Sequence, residues 1–438
     1  MANWFGPSQA VRKLGPEGRF DPWLLLAITG LVAFGIVMVA SSSIAVADGQ
    51  HIGEFHYLKR HLVFLAAGGI VAVWVALKLE LDTLERWSGP LMLITFLLLL
   101  LVFIPHIGMR INGARRWINL GISGFQPVEL AKLTVVLYVA SYLVRHRDAV
   151  ETRFLGAVKP VGVAGFTALL LLVQPDFGSA ALIGVVTIGM LWLGGARMRN
   201  LVIMGLPLVP LGAWLALSTD YRVKRLTSFL DPWKDPFDNG FQLTQALIAV
   251  GRGKWFGVGL GGSVQKLFYL PEAHTDFILA VIAEELGFFG VLFVLALFAL
   301  LVGRGLQLGL RGVEVGQQRA GYVAFGISLM IGLQALVSVG VNLGVLPTKG
   351  LTLPLISSGG SSILMTCVML GVLVRAGYEI HLAEDARRMA TRRGTPDAPA
   401  ATIGDSGRPA PSSPLPKTRE LPLAARVRIE PVIGQVGP

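Results

Sequence analysis

The stretch "LPEAHTDFILAVIAEELGFFGVLFVLALFALLV" places three carboxylates at or inside an apolar run that is long enough to cross a membrane. Asp276 stands where the run begins, and Glu284 and Glu285 lie within it. A charged side chain at the centre of a bilayer costs about 2.5–3.5 kcal/mol or more, so each needs a function or an internal partner. On a helix, Glu284 lies roughly 12 Å deeper than Asp276 and roughly 80° around the axis, and Glu285 points almost the opposite way. We therefore predict chemistry at Asp276 and internal hydrogen-bond donors for the two glutamates.

A second group of polar residues lies in "ARRWI" and "GFQPVELAKL". Glu129 and Lys132 are three residues apart, so they share one face of a helix and can form an ion pair. An internal salt bridge would explain both residues. Arg116 and Trp117, just upstream, add a cation and an indole that would together suit a sugar pyrophosphate, although Trp117 alone is also typical of an interfacial anchor. Both interpretations stay open on the sequence.

The stretch "VGRGKWFGVGLGGSVQK" contains Gly257, Gly259 and Gly262 in the GxGxxG spacing. A dinucleotide site is excluded by context, because no strand precedes the glycines and the predicted loop faces outward. Flexible backbone with free N–H groups beside Lys254 and Lys266 could still hold a phosphate.

The stretch "LPTKGLTLPLISSGGSS" is also rich in glycine and serine and holds two prolines. Such a sequence cannot continue a helix. Irregular backbone near the membrane must be buried in protein or line a wet cavity. We therefore expect this segment to line a cavity.

The composition identifies the class of protein that carries these residues. Of the 438 residues, 53% are hydrophobic and 15% are charged, and the mean hydropathy is +0.64. A soluble chain would carry about a quarter charged residues. Cys367 is the single cysteine, which excludes a disulfide framework and a cysteine-based metal site. The sequence predicts an all-α polytopic membrane protein.

Hydropathy predicts about ten transmembrane helices, with a long extracytoplasmic loop between the seventh and the eighth. The first is read as an uncleaved helix, because it is longer than the apolar region of a signal peptide and further spans follow. The approximate spans are 23–42, 61–79, 90–107, 127–144, 157–174, 179–194, 200–217, 276–303, 319–342 and 361–378.

The short loops alternate between basic and nearly unbasic sequence, which predicts that both termini are cytoplasmic. Residues beyond about Thr395 are rich in proline, alanine, serine and glycine, which is typical of a disordered tail. The predicted domains are a cytoplasmic segment at 1–22, a transmembrane domain at 23–378 with its outer loop at 218–275, and a basic, proline-rich cytoplasmic tail at 379–438.

Two predicted outer segments, 109–125 and 218–275, are basic and break the charge rule. One interpretation is that these loops crossed the membrane regardless of their charge, as long loops can. The other interpretation is that their basic residues bind an anionic ligand on the outer face. The net charge of +11 does not indicate nucleic acid, because the basic residues lie in the loops between spans.

Several blocks resemble the signature sequences of the SEDS family, the shape, elongation, division and sporulation proteins of bacteria. They occur in order over residues 20–380, and the last two are closer to division-type than to elongation-type members. Val128 and Ser358 depart from the family pattern beside charged positions, so they affect local contacts. The blocks are "ARRWI", "FQPVELAKL", "QPDFGSA", "YRVKRLTSFLDPW", "GGSVQKLFYLPEAHTDFILAVIAEELG" and "PTKGLTLPLISSGGSS".

The resemblance implies a peptidoglycan glycosyltransferase at the outer face of the bacterial inner membrane, enriched at the division septum. Its substrate would be lipid II, a disaccharide pentapeptide on undecaprenyl pyrophosphate, which it would polymerise into glycan strands. The implied partners are a class B penicillin-binding protein, which crosslinks the product, and other membrane proteins of the division machinery. Asp276 matches the essential aspartate of the family.

The implied chemistry fits an aspartate at this place. A sugar 4-hydroxyl attacks an anomeric carbon, and Asp276 would take its proton as a general base. The leaving group is a stabilised pyrophosphate, so cations can replace a general acid, and a divalent cation such as Mg or Mn could share that task. The predicted cations are Arg116, Lys132, Arg222, Arg225 and Lys266. The other predicted substrate-binding residues are Trp117, Glu129, Asp176, Glu272, His274 and Lys349.

Two rival functions remain at the sequence level. Basic loops, intramembrane carboxylates and glycine-broken segments would also suit a transporter that moves lipid II across the bilayer. A non-catalytic scaffold for a penicillin-binding protein is the third hypothesis.

Overall fold

In the computed structural model, the described residues form twelve α-helices, one 3₁₀-helix (Pro232–Lys234) and three short strands. Residues 1–389 form one compact unit, and 390–438 form a second, of which residues 390–392 are described. The described residues are 18–49, 51, 53–111, 114–119, 121, 124–207, 210, 223, 227–238, 240–267, 269–347 and 350–392. In chain order the elements are α1 (Pro22–Gly49), α2 (His56–Lys78), α3 (Leu81–Leu101), β1 (Gly108–Ile111), β2 (Ala114–Asn119), β3 (Gly124–Phe125), α4 (Pro127–Arg145), α5 (Arg147–Thr152), α6 (Phe154–Val173), α7 (Phe177–Leu193), α8 (Met198–Gly205), α9 (Phe241–Gly253), α10 (Ile278–Glu314), α11 (Gln318–Asn342) and α12 (Gly360–Arg392).

Eight helices of the described residues are long and apolar enough to cross a membrane, and α7 is a shorter apolar helix. The prediction of a multi-pass helical membrane protein is confirmed. The predicted seventh span, 200–217, overlaps α8, and most of its second half lies outside the described residues. Helix α12 continues past the predicted end of the last span at 378, as far as Arg392.

The bundle is built around two central helices. Helix α11 packs against α4, α7 and α10. In α4, nearly every side chain from Pro127 to Leu143 is buried. Such all-round burial explains why α4 shows no clear apolar stripe and places its polar residues inside the bundle.

A three-stranded antiparallel sheet precedes α4, and the sequence analysis did not predict it. Strand β2 is central and pairs with β1 and β3, with Met109 opposite Trp117 and Ile118 opposite Phe125. The Asn-Gly pair at 112–113 is a strong hairpin signal in the sequence. The sheet fixes the position of the "ARRWI" residues relative to α4.

Helix α10 is broken at Gly287, whose φ is 67° and ψ is −162°. The loop after α9 fills the gap: Val258 N donates to the Glu284 carbonyl at 3.0 Å, and Phe288 N donates to the Lys254 carbonyl at 2.9 Å. Backbone groups freed inside a membrane helix need such partners. The break therefore depends on the loop that is inserted into it.

The glycines of the GxGxxG stretch serve this insertion. Gly257 has φ +77°, and a Cβ there would lie 2.1 Å from the Glu285 carbonyl oxygen. The Gly259 N–H donates to the same carbonyl at 3.0 Å. The N–H groups of Val258 and Gly259 are therefore used within the fold and are not available to a phosphate.

Candidate active site

Asp276 lies at the entrance to α10, two residues before the helix begins. The side chain of Asn342, at the end of α11, donates to the Asp276 carbonyl at 2.9 Å and accepts from Ala280 N at 3.1 Å. It thus gives a second acceptor to an N–H group of the first turn of α10, which also donates to the Phe277 carbonyl at 3.1 Å. One asparagine therefore fixes both the start of the helix and the backbone of the aspartate.

The irregular segment 350–359 packs against the same residues. Ser357 Oγ donates to the Thr275 carbonyl at 2.6 Å, and Ser358 N donates to the His274 carbonyl at 2.9 Å. A Cβ on Gly350 would stand 3.3 Å from Asp276 Oδ2, so the backbone there lies next to the carboxyl group. Residues 350–359 are non-helical and largely buried, which confirms the prediction that no helix continues through this segment.

The surroundings of Asp276 change its protonation. Its side chain is partly exposed, and its pKa is raised to about 7. Burial is the largest cause, the charge of Glu272 acts in the same direction, and the charge of Arg116 lowers the pKa. A carboxyl group with a pKa near neutrality can both accept and hold a proton at physiological pH, as a general base must.

Arg116 is held in place by the turn between α6 and α7. Its Nε donates to the Gln174 carbonyl at 2.9 Å, and its Nη2 donates to the Pro175 carbonyl. Asp176 caps α7 by accepting from Ser179 N at 3.3 Å and is largely buried. The structure therefore gives Asp176 a capping role, and its predicted contact with substrate stays a prediction.

Lys132 is completely buried in the bundle. Its Nζ donates to Glu129 Oε1 at 2.9 Å and to Gln334 Oε1 at 2.9 Å. The Gln334 side chain in turn donates to the carbonyl of Thr352, in the segment beside Asp276, at 2.9 Å. Lys132 and Glu129 thus belong to a chain of hydrogen bonds that leads to the Asp276 site, and their predicted binding of pyrophosphate stays a prediction.

The two intramembrane glutamates have internal donors, as predicted. Glu284 accepts from Arg252 at 3.2 Å, from Ser263 Oγ, and from the backbone of Val264 and Gln265.

Glu285 accepts from Ser41 Oγ and forms an ion pair of 2.6 Å with Lys266. The Lys266 side chain is nearly buried and paired in this way, and its predicted role as a cation for pyrophosphate stays a prediction.

Three of the other predicted residues, Glu272, Trp117 and His274, are described by the structure. Glu272 is exposed and accepts from Thr275 Oγ1 at 2.7 Å, and Trp117 lies in β2 against Gly124. His274 is buried with its ring 4.7 Å from that of Tyr57, and burial lowers its pKa. Arg222, Arg225 and Lys349 lie outside the described residues.

Four residues near Asp276 were missed by the sequence analysis. Tyr57 and Arg60, at the start of α2, belong to "HYLKRH", a polar run whose cations could have been noticed. Asn342 and Gln334 lie in an apolar helix, where buried amides need a partner, but the sequence does not show which one.

The described residues hold no group of three or more His, Cys, Asp or Glu side chains that could bind a metal ion. Glu272 and Asp276 together could supply two carboxylates. Mg²⁺ is commonly bound by one or two carboxylates and the phosphates of a substrate. These two carboxylates are oxygen donors of the kind that a divalent cation takes.

Fold and site together define a multi-pass helical membrane protein with a titratable aspartate at the entrance to a broken helix. Residues 22–381 match the family model described as "Cell cycle protein", which covers FtsW, RodA and SpoVE. The chain belongs to this family, the SEDS proteins.

Curated relatives and solved structures agree with that assignment. A probable peptidoglycan glycosyltransferase FtsW of Xanthomonas oryzae is 52% identical over 405 residues, covering 92% of this chain and 82% of that protein. The FtsW of Coxiella burnetii is 47% identical, covering 82% and 96%.

Two solved structures share the fold. A chain from a peptidoglycan synthase complex described as coordinating polymerization and crosslinking has TM-score 0.67 and 31% identity, covering 82% of this chain and 98% of that one. The RodA of Thermus thermophilus has TM-score 0.59 and 30% identity, covering 82% and 96%.

Proposed function

We propose that this protein is a peptidoglycan glycosyltransferase that polymerises lipid II into glycan strands, with Asp276 as its general base. The observation that carries the proposal is the state of Asp276, a partly exposed carboxyl group with a pKa of about 7 whose backbone is fixed by Asn342. Family membership and the names of the relatives support the same activity.

In the proposed reaction, Asp276 takes the proton of the acceptor 4-hydroxyl as its oxygen attacks the anomeric carbon of the donor. The bond to the pyrophosphate breaks, and the pyrophosphate leaves with the electron pair. The positive charge of Arg116 acts on Asp276 and lowers its pKa. In the proposed reaction, Arg116 would stabilise the negative charge of the leaving group. Arg222, Arg225 and Lys349 remain proposed as further cations, and a divalent cation held by Glu272 and Asp276 would add Lewis-acid stabilisation.

The proposal includes where and with whom the protein works. Its active end faces the outside of the inner membrane at the septum, with both termini in the cytoplasm. A crosslinking enzyme of the class B penicillin-binding type is the proposed partner, supported by the resemblance to a chain of a peptidoglycan synthase complex. Other membrane proteins of the division machinery complete the proposed assembly.

The test is to give purified protein lipid II in detergent, with and without the crosslinking partner, and to measure glycan chains by gel. Chain formation by the wild type, and none by Asp276→Asn, is the expected result. Detergent leaves no bilayer to cross, so a transporter or a scaffold would give no chains. Asp231→Asn is a matched control, because this carboxylate is exposed and lies 45 positions before Asp276, in the long loop that leads to it.

A further inference from the structure

A cavity of about 400 Å³ lies at the end of the bundle opposite Asp276. It is bounded by the first turns of α3 and α6 and the last turns of α4. Lys132, linked to the Asp276 site, and Arg145, in the cavity wall, are 13 positions apart on α4, or roughly 20 Å. The cavity is therefore separate from the proposed active site.

Its walls carry three cations, Arg86, Arg145 and Lys159, and a single carboxylate, Glu85. Glu85 forms ion pairs with Arg145, at 3.6 Å, and with Arg319 outside the cavity. Its charge is thus shared between two guanidinium groups and does not neutralise the remaining cations. The cavity has an excess of positive charge.

Arg86 and Lys159 have no ion-pair partner among the described residues, and both side chains are exposed. Each is the sixth residue of its helix, so both lie about 7.5 Å from the helix start. Lys and Arg near the ends of membrane helices can extend to the interface, so each of these cations is tolerated there by itself. Their convergence with Arg145 on one cavity, where a single shared carboxylate faces three positive charges, indicates an anionic ligand.

The aromatic wall of the cavity, which includes Tyr142 and His146, is held in place by specific contacts. Pro160 in α6 has no N–H, so the Gly156 carbonyl lacks its usual helical donor. The Tyr142 hydroxyl supplies that hydrogen bond at 2.8 Å, and the Tyr142 ring stacks on His146 with 4.5 Å between centroids. Arg145 is held by Ser141 Oγ at 2.9 Å. These contacts keep the wall in one shape.

We propose that this cavity binds the phosphate headgroup of an anionic glycerophospholipid from the leaflet that contains it, which orientation predicts to be the cytoplasmic one. Basic pockets between transmembrane helices at this level are suited to such headgroups. A cavity of this size lies within the usual range for small ligands, about 300–1,000 Å³. Exposed Trp87, next to Arg86, is typical of an interfacial residue beside such a lipid.

The test titrates purified protein in neutral detergent with dioleoyl phosphatidylglycerol and counts bound lipids by native mass spectrometry. Arg86→Gln with Lys159→Gln should weaken binding roughly fivefold per cation, or roughly 25-fold together. Arg199→Gln with Arg311→Gln is the matched control, since both arginines are exposed, carry the same charge and do not line the cavity. Arg86→Lys with Lys159→Arg keeps both charges and should retain binding.

Two further ligands identify the source of the phosphate. Inorganic phosphate and undecaprenyl pyrophosphate are each added as competitors against phosphatidylglycerol. The proposal expects neither to displace it at equal concentration. Displacement by inorganic phosphate would show a free-anion site, and preferential binding of undecaprenyl pyrophosphate would assign the cavity to the substrate lipid. Either result, or equal loss of binding in the control pair, overturns the proposal.

Discussion

The chain of hydrogen bonds from Glu129 through Lys132 and Gln334 to Thr352 gives the sharpest prediction. The side chains of Lys132 and Glu129 are 1% and 6% exposed, so neither charge is solvated. Removing one partner of a buried ion pair strands the other and costs about 3–5 kcal/mol. Glu129→Gln and Lys132→Met should therefore each lower the free energy of unfolding by about that amount.

The double variant separates stability from activity. With both charges absent, no ion is stranded, and the free energy of unfolding should recover to within about 1–2 kcal/mol of the wild type. Gln334 would still lose its contact with Lys132 and with it the constraint on Thr352, beside Asp276. We expect a folded double variant that does not polymerise lipid II.

The assay compares thermal melting and lipid II polymerisation for the two single variants and the double variant. The pair Arg147 and Glu151 is the matched control, because its side chains are 37% and 38% exposed and so remain partly solvated. Arg147→Met with Glu151→Gln should change stability by no more than about 1 kcal/mol and leave activity intact. A Glu129/Lys132 double variant that regains both stability and synthesis would refute the proposed link to the active site.

Three other predictions concern Asp276, the helix break and the tail. Asp276→Asn should reduce polymerisation by at least about 10²–10⁴-fold, and wild-type activity should rise with pH through about 7. The raised pKa means that ionisation of Asp276 opposes folding, so wild-type stability should fall as pH rises from about 4 to 7. In thermal melts, the melting temperature of the asparagine variant should therefore rise relative to that of the wild type above pH 7 and not near pH 4. Equal melting curves at all pH values would contradict this. Gly257→Ala should lower the melting temperature more than Gly69→Ala, because a Cβ at 257 meets the Glu285 carbonyl and one at 69 meets nothing. Truncation after residue 395 should leave polymerisation intact, because a proline-rich tail adds nothing to the hydrophobic core. A truncated protein that inserts into the membrane but is inactive would show that the predicted boundary is wrong.

The sequence alone was enough to determine the class of protein and most of its spans, and it was enough to propose the site. Long apolar runs can only be helices in a membrane, because every backbone polar group must be paired inside the chain. The same reasoning singled out Asp276 at the start of a span and assigned internal partners to Glu284 and Glu285, which the structure confirms.

The partners of those residues were decided by tertiary structure. Lys132 and Lys266 are cations in the sequence, and only their burial against Gln334 and Glu285 shows that they hold the fold rather than meet solvent. The GxGxxG stretch likewise gives no hint that it fills a break in α10. The partner of a charged group or an N–H group is set by whatever packs against it in the folded protein. Gln334 lies about 200 positions after Lys132, so it supplies its contact only when the two helices pack together.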